Sequence, residues 1–126
     1  MPLTPPEVTI RTRLIQVVTN VSNNRGPGLI SYIDVCRLVN LDMDIPADHQ
    51  RLSQYLDNVS THDHQAGRPL LSAVVVYSNQ GFLTTPGDGF YELAVRLGLH
   101  QGRSALADLT FFVQELQRVH ATVYPP

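Results

Sequence analysis

The sequence predicts a mostly helical α+β fold. Its core is winged-helix-like, ordered helix, short strand, helix, helix and β-hairpin, and two further helices follow. Three observations carry this expectation. Apolar residues recur at helical spacing in five stretches, one valine-rich run (Leu70 to Tyr77) is too short for a helix, and Gly/Pro-bearing segments mark the boundaries. The 126 residues read as one domain, 1–126, without repeats or linkers.

Thr4-Pro-Pro-Glu7 is a helix start: Thr4 as N-cap, prolines in the first turn, and Glu7 closing a capping box. Ile10, Leu14, Val17, Val18 and Val21 follow at helical spacing. Asn23 to Gly28 ends that helix, with Gly expected in the left-handed cap. Leu29-Ile30 is a short extended piece. Ser31 and Asp34 mark the start of a helix from Tyr32 to Val39 that buries Val35, Cys36 and Val39. Pro46 opens a third helix, with Leu52, Tyr55, Leu56 and Val59 on one face, and its pattern stops at Ser60. Leu70 to Tyr77 is then a buried strand, Ser78-Asn-Gln-Gly81 a turn, and Phe82 to Thr84 the returning strand. Phe90, Leu93, Ala94 and Leu97 form the face of a short helix closed by Gly98. Leu109, Phe112, Val113, Leu116 and Val119 mark the last helix, running to about Thr122.

Composition excludes several function classes. All nine basic residues are arginine, so Schiff-base chemistry and a phosphate-loop lysine are absent. Between Leu38 and Gly67, Asp42, Asp44, Asp48, Asp57 and Asp63 face one arginine, Arg51, the opposite of a nucleic-acid surface. No apolar run approaches the ~20 residues of a membrane span. The N-terminus lacks a secretion signal, and the single cysteine, Cys36, fits a reducing cytoplasm and a place in the core.

Two loop-bearing segments are the candidate site. In the first, His64, Arg68 and Ser72 bracket the start of the valine-rich run; in the second, Pro86-Gly-Asp-Gly-Phe90 leads into a helix carrying Glu92. Arg68 either clamps an anion or pins the loops together through a carboxylate such as Asp88 or Glu92. Gly87 and Gly89 either cradle an anion on free amides or permit a positive-φ turn, with Asp88 capping nearby amides. His62 and His64, with Asp63 and Asp57, are the only metal-type cluster, and a polar helix terminus is the simpler reading of it. No cofactor is expected. Ser72 lacks a nucleophile elbow and is expected to be a buried, hydrogen-bonded serine.

Two resemblances follow from these residues. From Gly28 to Gly89 the layout resembles the DNA-binding domain of the alkylguanine alkyltransferases and alkyltransferase-like proteins. Ile30-Ser-Tyr-Ile-Asp-Val-Cys36 looks like their first strand and helix, and Pro69-Leu-Leu-Ser-Ala-Val74 falls where their Pro-Cys-His-Arg-Val strand lies. Leu70 stands at the nucleophile's position and Leu71 and Ser72 replace the His and Arg, so alkyl transfer is excluded. The chain is also similar to a group of small uncharacterised bacterial proteins. They share a His-x-x-Gly-Arg-Pro-x-Leu-Ser-Ala-Val-Val segment, here His64 to Val75, a Pro-Gly-x-Gly-Phe-x-x-Leu-Ala segment, here Pro86 to Ala94, and an aromatic-rich final helix. That resemblance implies no activity.

The expected function is therefore a non-catalytic binding module, an accessory or regulatory protein acting through contacts with another protein. An exposed apolar patch on the last helix would be its structural sign. The alternatives are a DNA-binding regulator using Arg11, Arg13, Arg25, Arg37, Arg51 and Arg68, and an enzyme acting on an anionic substrate between the 64–72 and 86–92 loops. Oligomeric state is not readable from the sequence.

Overall fold

The computed structural model describes residues 2–126. Among them the order is α1 (Pro5–Ser22), β1 (Ile30–Ser31), α2 (Tyr32–Leu38), α3 (Pro46–Gln65), a 3-10 turn (Leu71–Val74), β2 (Val75–Val76), β3 (Ser78–Asn79), β4 (Phe82–Leu83), α4 (Asp88–Arg96) and α5 (Ala105–His120). The fold class is α+β and mostly helical, as expected. No helix among the described residues is long and apolar enough to cross a membrane.

The start of α1 follows its sequence signature. The Thr4 amide and hydroxyl both donate to the Glu7 carboxylate, at 2.8 and 2.9 Å, and Asn58 of α3 donates to its other oxygen at 2.6 Å. Ile10, Leu14, Val17 and Val18 are buried. The left-handed residue just past the helix is Asn24 rather than a glycine, with φ 55°, a conformation its short polar side chain tolerates. Gly28 is needed for a different reason: φ is +75°, and a Cβ there would lie 2.5 Å from the His120 ring.

The predicted strand Leu70 to Tyr77 is replaced by a 3-10 turn with only two extended residues after it. Leu71, Ser72, Ala73 and Val74 are all buried, against α1, α3 and α5 at once. A strand projects side chains in two directions, whereas a tight helical turn distributes them around its axis and can meet three helices. The turn also satisfies backbone groups that a lone strand would strand in the core. Ala73 donates to the Leu70 carbonyl, the Ser72 amide to Ser60 Oγ at 2.9 Å, and the Leu70 amide to Glu115 at 2.9 Å. β2 then pairs in parallel with β1, Ile30 opposite Val75 and Ser31 opposite Val76. The expected extended piece is thus Ile30–Ser31, one residue later than predicted.

The hairpin forms with shorter arms than expected. β3 and β4 are antiparallel, Ser78 opposite Leu83 and Asn79 opposite Phe82. The turn itself is Gln80-Gly81, with φ of 51° and 85°, the doubly left-handed geometry that matches strand twist.

Two helices depart from their apolar patterns. α3 does not stop at Ser60 but runs to Gln65, because its buried face continues through Ser60 and Asp63. α5 buries Phe112, Glu115 and Val119, while Leu109 and Val113, two of the apolar residues that mark the helix, face solvent.

Candidate functional site

The segment Asp63 to Leu70 is held from every side. α3 ends in a Schellman cap: Gly67, at φ +82°, donates to the His64 carbonyl, and the Arg68 amide to the Asp63 carbonyl. The Asp63 carboxylate, fully buried, accepts Arg11 Nε at 3.1 Å and Nη2 at 2.9 Å, and Arg68 Nε at 2.8 Å. Tyr124 donates its hydroxyl to the Pro69 carbonyl at 3.0 Å. Burial pushes the Tyr124 phenol well above its ordinary range, and the nearby Asp63 and Glu115 carboxylates add to this. Glu115 accepts Leu70 N on one oxygen and Arg118 Nη1 on the other, at 2.8 Å.

These contacts correct the expectation for Arg68. Its carboxylate partner is Asp63, five residues back, and not Asp88 or Glu92. Arg11 is likewise spent on Asp63 and buried, so it leaves the proposed nucleic-acid set. Of that set, Arg13 bonds Gln16 at 3.3 Å, Arg37 bonds Asp34 at 3.3 Å, and Arg51 lies exposed on α3. Asp63 also leaves the metal-type cluster, since it turns inward between His62 and His64. Among the described residues no three His, Cys, Asp or Glu side chains converge as metal ligands.

Ser72, Gly87, Asp88 and Gly89 do come together, around a cleft of 210 Å³. His64, Arg68 and Glu92 do not line it. α3 supplies His49, Ser53, Leu56 and Asp57, three of which repeat at intervals of four and so share one face. Tyr32 and Tyr77 form the opposite wall, rings 4.7 Å apart, with Phe90 beside them. The Gly87 amide donates to the Tyr32 hydroxyl at 2.8 Å. Burial pushes the Tyr32 phenol up to about 12, although that amide bond works the other way. Burial also raises the Asp57 carboxylate, outweighing its 3.0 Å pair with Arg96.

Neither glycine of the second segment adopts the predicted positive φ. Gly87 is extended, and a Cβ on it would meet Tyr77 Oη at 2.7 Å; at Gly89 the nearest atom is Ser53 Oγ at 3.9 Å. Asp88 caps nothing and instead pairs with Arg103 at 3.2 Å.

The Ser72 hydroxyl at the cleft is paired with another hydroxyl. Ser72 Oγ accepts from Ser60 Oγ at 2.6 Å, so its neighbour is a second hydroxyl and not a base. The volume lies below the ~300–1,000 Å³ of ordinary small-molecule sites and suits a single side chain. The residues the sequence reading missed are Tyr32, Tyr77, His49 and Ser53. Asp57, read there only beside the histidines of the metal-type cluster, belongs to the same stripe as His49 and Ser53. The four-residue spacing of that stripe was the available signal.

A second surface lies on α5. Leu106, Leu109 and Val113 are 76%, 47% and 45% exposed and share its outward face. Comparison with family models, curated proteins and solved structures finds no match for this chain.

Proposed function

We propose that this chain is a non-catalytic binding module, winged-helix-like, serving a bacterial cytoplasmic system as an accessory or regulatory protein through protein contacts. The outward apolar face of α5 carries this reading. Three aliphatic side chains on one face of a two-sided helix are costly to leave in water, at roughly 25 cal/mol per Å² of apolar surface. A protein partner would remove that cost. The chain order α2, α3 and β3–β4 hairpin supports the winged-helix-like reading, in which α3 is the second helix and the hairpin the wing. The spent Arg11 and Arg68 weigh against nucleic acid as the partner, and a serine without a base weighs against hydrolysis.

The test is capture from a lysate of the native host on immobilised chain, comparing wild type with Leu109→Glu. A stoichiometric protein retained by the wild type and lost by the variant is the expected result. Nucleic acid recovered equally on both, and released by salt, would replace this reading with the DNA-binding one.

A further inference from the structure

Resting on that protein-contact reading, we infer that the cleft between α3 and the Tyr32–Tyr77 wall receives the guanidinium of an arginine side chain from the partner protein. The lining combines aromatic rings, Tyr32, Tyr77 and Phe90, with the carboxylates of Asp57 and Asp88. Besides the tyrosines its other titratable group is the exposed His49, and among the described residues no arginine lines it. Arg96 and Arg103 approach the two carboxylates from outside the lining and take one oxygen of each, Asp57 Oδ2 at 3.0 Å and Asp88 Oδ1 at 3.2 Å. The second oxygen of each has no hydrogen-bond partner among the described residues. Asp57 stays short of positive charge even with Arg96 beside it: burial raises its carboxyl, and the Glu92 carboxylate adds to the rise.

The rings are held in place by the fold itself. The Gly87 amide fixes the Tyr32 hydroxyl at 2.8 Å, and the missing Cβ of Gly87 leaves room for the Tyr77 hydroxyl. A guest therefore meets a wall already in position, which lowers the ordering cost of binding. The wall also selects the guest. Aromatic faces and carboxylates attract cations and disfavour anions. A neutral apolar side chain would desolvate the carboxylate oxygens and give them no partner. A guanidinium fits better than an ammonium, because it is planar, weakly hydrated, stacks on aromatic rings and has several N–H donors to divide between two carboxylates. At 210 Å³ the cleft suits one such side chain.

Titration of the isotope-labelled full chain with capped Gly-Arg-Gly, followed by NMR, tests this. Saturable shifts at the Gly87 and Gly89 amides are expected, at about millimolar affinity for a single side chain. Capped Gly-citrulline-Gly, close in shape but uncharged, should bind at least about tenfold more weakly, and so should methylguanidinium, which lacks the apolar stem. Asp57→Asn should weaken the arginine peptide by about tenfold. Its pair with Arg96 is a surface one, so the helical circular dichroism should be unchanged. Equal binding of the citrulline peptide, shifts confined to residues away from the cleft, or an Asp57→Asn variant that binds like wild type would overturn the proposal. Tighter binding of capped Gly-Lys-Gly would overturn the guanidinium assignment, and equal binding of methylguanidinium the assignment to a side chain. Absence of binding by every probe overturns this inference alone. The protein-contact reading is decided separately, by whether Leu109→Glu, on α5 and outside the cleft, loses a host protein from lysate.

Discussion

Asp63 is the residue on which the central loop depends. Two guanidiniums share its fully buried carboxylate, so removing the negative charge leaves the buried Arg11 with nothing opposite it. Asp63→Asn should cost about 3–5 kcal/mol, the range for a broken buried ion pair. The measurement is a shift of the urea midpoint at unchanged slope; an effect under about 1 kcal/mol would show that Arg11 and Arg68 find other partners. Glu7 makes a separate prediction in acid. Burial pushes its carboxyl up, but the bonds from the Thr4 amide, Asn58 and the Thr4 hydroxyl prevail and leave it below 4.5. A group lowered on folding stabilises above its unfolded value and loses that contribution as pH falls through the folded one. Glu7→Gln, which can keep the capping bond, should therefore melt below wild type at neutral pH. The gap should close as pH falls through and below the ordinary carboxylate range. A gap constant with pH would mean the ionised form is not the one favoured by folding.

At the scale of elements, the two glycines before α4 separate two accounts of that loop. If Gly87 is there for the close approach of Tyr77, Gly87→Ala must push the tyrosine ring off Tyr32 and cost about 1 kcal/mol, the worth of an aromatic pair. Gly89→Ala, whose Cβ would meet only Ser53 Oγ at an ordinary 3.9 Å, should be neutral or slightly stabilising by thermal melting. Equal losses at both would point instead to a backbone requirement. The capped starts of α1 and α2 and the hairpin turn were legible in the sequence because each rests on local chemistry over three or four residues. The end of α3 and the inner face of α5 were not. In both, the buried stripe includes polar or charged residues, Ser60, Asp63 and Glu115, whose partners lie far along the chain. Counting apolar positions ended α3 too early and, on α5, included the outward Leu109 and Val113 while passing over the buried Glu115. The valine-rich run failed for a related reason: strand propensity was overridden by burial among three helices.

For the whole molecule, the order of helices and hairpin was readable, but which loops share a surface was not. Ser72 and the Gly87 segment meet at the cleft, whereas His64 and Arg68 turn to the ion cluster at the end of α3. Sequence distance conceals this, since the carboxylate that claims Arg68 also claims Arg11, 52 residues away. The motif that looked most like a functional loop thus joins α1, α3 and the tail.

That clasp has a consequence for cooperativity. Arg11, near the beginning, and Tyr124, near the end, both grip the stretch from Asp63 to Pro69, so opening either terminus removes a support from the middle. Loss of either support should therefore loosen the middle of the chain, and the early and late segments should unfold together in one transition when followed by two independent probes.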